Sequence, residues 1–216
     1  MIARNLKKRI STSLILLILI FLIMNFNWIL VFSLLILGVI SLLEFFNIIK
    51  KIFKSKIYQL IFNLLFTLYV FLFTLFFFIF SNYLHLKIIL LILLFGCIAS
   101  DVGGFIVGKF FKGAKLTKIS PNKTISGAIG SFIFTYIIIT SLVYYYTNSF
   151  NYQSIIISFI TSLACQLGDL YFSFLKRKAK IKDTGNFFPG HGGVLDRLDS
   201  IFFGLPLGFL SIILIY

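Results

Sequence analysis

Carboxylates are the first candidates for chemistry, because the chain of 216 residues contains only 6 acidic residues against 20 lysines and arginines. Glu44 lies near the end of an apolar run, and the other five are the aspartates Asp101, Asp169, Asp183, Asp196 and Asp199. A carboxylate near the middle of a membrane helix costs about 3 kcal/mol, so such groups usually pair, bind a cation or line a wet cavity. Any single aspartate could simply neutralise a nearby lysine, but the set favours a divalent-cation site.

Soft or nitrogen ligands for a metal are scarce. The chain has two cysteines, Cys97 and Cys165, and two histidines, none at the spacing of a zinc site. A catalytic metal would therefore be held by carboxylates, which favours a hard cation such as Mg²⁺.

One predicted helix carries acidic, hydroxyl and basic side chains along one of its faces. Its polar residues recur at steps of three and four, which places them on one face: Gln166, Asp169, Ser173, Lys176 and Arg177. The next loop contains the segment Gly190–Gly193, whose glycines allow backbone amides to approach a phosphate closely. Asp196 and Asp199 follow three residues apart, so they could share a helical face opposite Asp169.

A second polar segment, residues 101–124, contains five lysines. Its Gly103-x4-Gly108-Lys109 spacing resembles a phosphate-binding loop, but an aromatic residue replaces the Ser or Thr and a membrane span replaces the strand, so we reject that interpretation. Gly104 and Gly108 fit helix packing at least as well as ligand contact. The lysines suit both anionic headgroups and a polyphosphate.

Membrane helices must position these segments, since 60% of the residues are hydrophobic and only 12% are charged. The apolar runs predict about seven spans: Ile10–Met24, Trp28–Ile49, Ile57–Phe80, Leu86–Ser100, Ile125–Tyr146, Tyr152–Leu175 and Leu198–Tyr216. The predicted fold class is an all-α integral membrane protein with a polar active-site cavity that faces the cytoplasm. A single polytopic domain covers residues 1–216, with N-terminal spans in 1–93, a catalytic region in 94–203 and the last span in 198–216.

Basic residues orient the predicted spans. If the N-terminus is cytoplasmic, every lysine and arginine except Lys87 faces the cytoplasm, as the positive-inside rule requires. This distribution explains the net charge of +14 without nucleic-acid binding.

Two groups of motifs carry a resemblance to a known family. The longer motif is Ser173-Phe174-Leu175-Lys176-Arg177-x4-Lys182-Asp183-x-Gly185-x3-Pro189-Gly190-His191-Gly192-Gly193-Val194-Leu195-Asp196-Arg197-Leu198-Asp199, preceded by Gly168-Asp169-Leu170. The other group is Ser100-Asp101-Val102-Gly103-Gly104 with Lys115-Leu116-x3-Ser120-Pro121-x-Lys123-Thr124-x2-Gly127. Together they resemble the phosphatidate cytidylyltransferase family, also called CDP-diacylglycerol synthases. Ser126 stands where that family usually has Glu.

The resemblance implies a nucleotidyltransferase of phospholipid biosynthesis, which converts CTP and phosphatidic acid to CDP-diacylglycerol and pyrophosphate. Its implied cofactor is Mg²⁺, and a second metal ion or a monovalent cation stays open. CTP, phosphatidic acid and the lipid bilayer are the implied partners, nucleic acid is not expected, and a homodimer stays open. The implied location is the bacterial inner (plasma) membrane, with the N-terminus and the active site cytoplasmic.

The same resemblance assigns the site residues. Its implied catalytic residues are Asp169, Asp183, Asp196, Asp199, Lys176 and Arg177, with Asp169 and Asp196 as metal ligands. Its implied substrate-binding residues are Asp101, Lys123, Ser173, Lys182, His191, Gly192, Gly193 and Arg197. A lipid phosphate is already ionised at neutral pH, so no strong base is needed and His191 is assigned to phosphate contact.

Two alternatives are other enzymes, and a third belongs to a different class of protein. A CTP-dependent lipid kinase, or a cytidylyltransferase for another lipid phosphate, could use a similar set of acids and bases. A transporter is the remote alternative, because the acids cluster at one face and no inverted repeat is evident.

Overall fold

The computed structural model describes residues 14, 18–19, 21–23, 25–117, 120, 123–187 and 192–215. Six long helices lie within these residues: α1 (Asn27–Ile52), α2 (Lys56–Ser81), α3 (Leu84–Phe111), α4 (Ile125–Thr147), α5 (Gln153–Lys178) and α6 (Leu195–Ile215). Each has 21 to 28 residues and is apolar enough to cross a membrane. The predicted all-α integral membrane fold is confirmed, while the predicted first span, Ile10–Met24, lies largely outside the described residues.

The end of α3 corrects the sequence-based prediction. The fourth span was predicted to end at Ser100, just before Asp101, whereas α3 continues to Phe111. Asp101 and Lys109 are therefore helical, and the polar loop begins only at Lys112. A single charge does not interrupt helical hydrogen bonding, so hydropathy marked a polar position within the helix and not the end of the helix.

Contact between residues divides the chain into two compact units. The first unit comprises Met1–Tyr83 with Leu175–Arg197, and the second comprises Leu84–Phe174 with Leu198–Tyr216. In the first unit α1 packs against α2, and the rings of Phe45 and Phe66 stack with their centroids 3.9 Å apart. Both side chains are buried, so this aromatic pair contributes to the apolar contact between the two helices.

In the second unit α3 packs against α4 through small residues. A methyl group at Gly103 would lie 2.6 Å from the carbonyl oxygen of Gly130, and one at Gly104 would lie 2.6 Å from the Ser131 Oγ. The two backbones therefore approach more closely than larger side chains would permit. This contact confirms the packing role that the glycine spacing predicted, and the helical position of Gly103 to Gly108 excludes a phosphate-binding loop there.

A matched pair of alanine substitutions tests this close approach. Gly103→Ala should lower the midpoint of thermal unfolding in detergent, because the added methyl group would overlap Gly130, at a cost of about 1–3 kcal/mol. Gly38→Ala is the control, since its methyl group would lie 3.4 Å from Val70 Cγ1 in ordinary contact. Equal midpoints for the two variants would contradict the tight α3–α4 contact.

Candidate active site

In the first unit, the loop between α5 and α6 is organised around two carboxylates. We call Glu44, Lys176, Thr184, Gly193 and Asp196 the Asp196 cluster. The Asp196 Oδ1 accepts a hydrogen bond from Lys176 Nζ at 2.7 Å. The Oδ2 atom accepts hydrogen bonds from the backbone N–H groups of Thr184 at 2.8 Å and Gly193 at 3.1 Å. One carboxylate oxygen therefore binds an ammonium group while the other binds the loop backbone.

The ion pair in this cluster is shielded from solvent. The side chains of Lys176 and Asp196 are only 12% and 8% exposed. Removing one partner of a buried ion pair typically costs about 3–5 kcal/mol, because the remaining charge is left buried without compensation. The pair therefore ties the last turn of α5 firmly to the first turn of α6, and it brings two predicted catalytic residues together.

Glu44 belongs to this cluster, although it was not among the residues predicted for the site. Its side chain is 7% exposed. Its Oε1 accepts a hydrogen bond from the Val194 N–H at 3.0 Å, and its Oε2 accepts from the Leu195 N–H at 2.8 Å and the Thr184 hydroxyl at 2.7 Å. Because α6 begins at Leu195, the Glu44 carboxylate compensates the free N–H groups at the start of that helix.

Two predicted glycines shape the backbone beside Asp196. Gly192 adopts a φ of +85°, a conformation that side chains disfavour. Gly193 is buried, and its N–H is already bonded to Asp196. The Gly193 N–H therefore already has an acceptor within the protein, whereas ligand contact by Gly192 stays a prediction.

Four other predicted residues of this unit lie at the surface. The side chains of Arg177, Lys182, Asp183 and Arg197 are exposed, so the structure leaves them accessible to a ligand. His191 lies outside the described residues.

The second unit contains a separate group that we call the Asp169 cluster: Lys123, Asp169 and Ser173. The Lys123 Nζ lies 2.5 Å from the Asp169 Oδ2, and the Ser173 hydroxyl donates to Oδ1 at 3.3 Å. The side chains of Lys123 and Asp169 are 23% and 33% exposed. Exposed ion pairs contribute about 0–1 kcal/mol, so an incoming ligand could separate this pair at low cost.

A short turn before α4 positions Lys123. The Leu116 N–H donates to the Lys123 carbonyl oxygen at 2.8 Å. Thr124 caps α4, because its side chain accepts a hydrogen bond from the Gly127 N–H at 3.1 Å. Ser126, where the resembled family usually has Glu, closes the same turn by accepting from the Gly113 N–H at 3.2 Å.

Two further aspartates lie near the Asp169 cluster in the second unit. The Ser200 hydroxyl donates to the Asp101 Oδ2 at 2.7 Å, which connects α3 to α6. The Asp199 side chain is 7% exposed, and its Oδ1 accepts from the Ser200 N–H of its own helix at 3.0 Å. Gly168, the residue before Asp169, allows close approach, since a methyl group there would lie 2.5 Å from the Asp199 carbonyl oxygen. Three helices therefore bring three of the aspartates to one end of this unit.

The donor chemistry suits a hard cation, because the predicted ligands are carboxylate oxygens. In neither unit do three His, Cys, Asp or Glu side chains converge on one point, as far as the described residues extend. The assignment of Asp169 and Asp196 as metal ligands stays a prediction.

Apolar helices that carry paired carboxylates and lysines define an integral membrane protein with a polar, charged site. The sequence model of the cytidylyltransferase family matches residues 5–215. This match covers nearly the whole chain, so the chain belongs to that family.

Relatives in several bacteria are named phosphatidate cytidylyltransferase. The chain is 46% identical to the protein of Rickettsia felis over 136 residues, which are 57% of this chain and 59% of the relative. It is 43% identical to the Helicobacter pylori protein over 112 residues, covering 52% of this chain and 42% of the relative. The Staphylococcus aureus protein is 43% identical over 118 residues, covering 54% and 45%. The chain thus spans about half the length of the curated relatives that it matches.

The two ion pairs should differ in their contribution to stability. Lys176→Met should lower the free energy of unfolding by about 3–5 kcal/mol, because it leaves the buried Asp196 carboxylate without its ammonium partner. Lys123→Met should lower it by about 1 kcal/mol or less. Unfolding in detergent measures both, with the exposed Lys54 changed to Met as the control. Equal losses for Lys176→Met and Lys123→Met would contradict the difference in burial.

Proposed function

We propose that this chain transfers CMP from CTP to phosphatidic acid, which gives CDP-diacylglycerol and pyrophosphate. The family match and the names of the relatives support the reaction class. The observation that carries the proposal is the presence of two carboxylate–lysine pairs, Lys123–Asp169 and Lys176–Asp196, built entirely from residues of the two motifs. Carboxylates can bind a metal cation and lysines can bind phosphate groups, so the two pairs offer both kinds of group that the reaction requires.

The reaction brings two polyanions together. An oxygen of the lipid phosphate forms a bond to the α-phosphorus of CTP. The bond from that phosphorus to the bridging oxygen of the β-phosphate breaks, and pyrophosphate leaves with the electron pair. The attacking oxygen is already ionised near neutral pH, so the protein lowers the barrier mainly by neutralising charge and by positioning the reactants.

The two lysines would have different roles in this scheme. Lys123 is partly exposed and weakly bound, so its ammonium group can move from Asp169 to a phosphate oxygen of the substrate. That movement would free the Asp169 carboxylate at the same time. Lys176 is buried with Asp196, and it would keep that carboxylate fixed throughout.

Mg²⁺ is the proposed cofactor, with Asp169 in the second unit and Asp196 in the first unit each proposed as a metal ligand. Each of these carboxylates accepts a lysine ammonium group, which supports an affinity for cations at both positions. When bound, the ion would neutralise charge on the phosphates of CTP.

Substitution of Asp169 tests the transferase proposal. Purified protein with phosphatidic acid, Mg²⁺ and cytidine-labelled CTP should place label in the lipid phase and release an equal amount of pyrophosphate. Asp169→Asn should lower this rate by about 100-fold or more, because it removes the negative charge and keeps the shape. Its unfolding midpoint should stay close to that of the wild type, since the pair with Lys123 is partly exposed.

The controls separate the alternatives. Lys54→Met changes an exposed charge outside both clusters and should keep full activity. Release of CDP in place of pyrophosphate would indicate a lipid kinase. Transfer of CMP only to another lipid phosphate would show that this other lipid, and not phosphatidic acid, is the acceptor. Undiminished transfer by Asp169→Asn would contradict the role of that carboxylate.

We further propose that the loop between α5 and α6 faces the cytoplasm of a bacterium, where CTP is available. Six lysines and arginines lie in the segment Lys176–Arg197, in the loop and in the helix ends beside it, and they support that orientation. Acyl chains of the substrate would then stay in the bilayer while its phosphate reaches the polar site.

Cysteine labelling in intact cells tests the orientation. Asn186→Cys, in the exposed loop, should react with a membrane-impermeant maleimide only after the cells are permeabilised. Tyr83→Cys, at a position that is 63% exposed between α2 and α3, should react in intact cells. The native Cys97 and Cys165 are buried, so labelling of the wild-type protein measures the background reaction. The reverse pattern would contradict the proposed orientation.

A further inference from the structure

Glu44 is a buried carboxylate that the proposed reaction does not use. Among the described residues, its two oxygens accept hydrogen bonds from Thr184, Val194 and Leu195, which lie just before α6 or at its start. Hydrogen bonds to a charged group are about twice as strong as neutral ones, and they are stronger still away from water. The contacts of Glu44 are therefore concentrated on the loop that carries the Asp196 cluster.

The hydroxyl of Thr184 links the two carboxylates. Its Oγ1 lies 2.7 Å from the Glu44 Oε2 and 3.1 Å from the Asp196 Oδ2. A hydroxyl has one proton, so the shorter distance favours donation to Glu44. The Thr184 N–H donates to Asp196 at 2.8 Å, so a single residue binds both carboxylates through different groups.

The loop also encloses Glu44 closely. A methyl group placed at Gly185 or at Gly193 would lie 2.5 Å from the Glu44 Oε1. Larger residues at these two positions would displace either the carboxylate or the loop. The backbone at Gly185 and at Gly193 therefore passes close to this side chain.

We propose that Glu44 is a positioning residue for the nucleotide site. It holds Thr184, Val194 and Leu195 through hydrogen bonds and, through Thr184 and Gly193, fixes the orientation in which Asp196 meets Lys176. Loss of this anchor would weaken the binding of CTP with Mg²⁺ more than the binding of the lipid. This inference rests on the proposed function, because it assigns the Asp196 cluster to the nucleotide.

The hydrogen-bond pattern predicts how substitutions should rank. Both oxygens of Glu44 accept N–H groups, whereas a glutamine amide offers one acceptor oxygen and turns its NH₂ group toward a donor. Glu44→Gln should therefore break the pattern although the shape is conserved. Glu44→Asp keeps both acceptors but is one methylene shorter, so it should restore part of the function.

Steady-state kinetics provides the first readout. Glu44→Gln should raise the KM for CTP at saturating Mg²⁺ by about tenfold, which corresponds to about 1.4 kcal/mol. Its KM for phosphatidic acid should stay within about twofold of the wild type, and Glu44→Asp should be intermediate. Ser41→Ala is the matched control, because Ser41 is buried on the same helix and donates to the Leu37 carbonyl oxygen.

Hydrogen exchange provides a readout that is independent of turnover. The backbone amides of Val194 and Leu195 should exchange faster in Glu44→Gln than in the wild type, while Ser41→Ala should leave them unchanged. Thr184→Val removes the linking hydroxyl with little change in shape, and it should raise the KM for CTP in the same direction. This variant keeps the test valid if Glu44→Gln does not fold.

The outcomes separate this inference from the proposed function. A wild type that transfers no CMP to any lipid phosphate would contradict the proposed function, while the exchange experiment would still test the anchoring of the loop. An active wild type whose Glu44→Gln variant loses kcat at an unchanged KM for CTP would overturn the inference, because that pattern indicates loss of folded enzyme. Unchanged exchange at Val194 and Leu195 would overturn it as well.

Discussion

A buried negative charge in an apolar helix is the constraint on which the arrangement of the first unit depends. Glu44 lies in α1 among residues as apolar as Phe45 and Ile48, and water is largely excluded from it. Such a charge is tolerated only when hydrogen-bond donors surround it. The donors come from the loop that precedes α6, so that loop must return to α1, and the free N–H groups of α6 find an acceptor through the same contacts.

This constraint explains where α6 begins. The predicted span started at Leu198, but the helix starts at Leu195. Its first N–H groups are bonded to Glu44, and Asp196 lies in the first turn, where a negative charge interacts favourably with the helix dipole. Asp196 can therefore bind the loop backbone with one oxygen and Lys176 with the other.

The two carboxylate–lysine pairs differ in mobility: one provides a fixed pair of charges, and the other provides charges that a ligand can separate. The Lys176–Asp196 pair is buried and braced by backbone N–H groups, so it provides a rigid position. The Lys123–Asp169 pair is partly exposed, and within the part of the chain that the structure describes the other side-chain hydrogen bond to it comes from Ser173 at 3.3 Å. An enzyme that accepts a polyphosphate benefits from both properties, since one group must hold its place while another moves to the incoming charge.

Much of this fold could be predicted from the sequence because hydropathy and helix length are local properties. Five of the described helices begin and end within three residues of their predicted spans, and the exception, α3, extends past a charge that hydropathy treated as an end. Lys176 and Asp196 were identified as members of the site, but their pairing depends on how the loop folds. Glu44 was missed because it bonds to residues 150 positions away, a separation that no spacing rule covers. Its charge inside an apolar run was the available signal.

If the Lys123–Asp169 pair binds CTP together with a divalent cation, calorimetric titration of CTP into the purified protein without lipid should show binding that requires Mg²⁺. Asp169→Asn and Lys123→Met should each weaken this binding by about tenfold or more, while Lys54→Met should bind as the wild type does. Binding of equal strength in all four proteins, or binding that does not depend on Mg²⁺, would contradict a role for this pair in nucleotide binding.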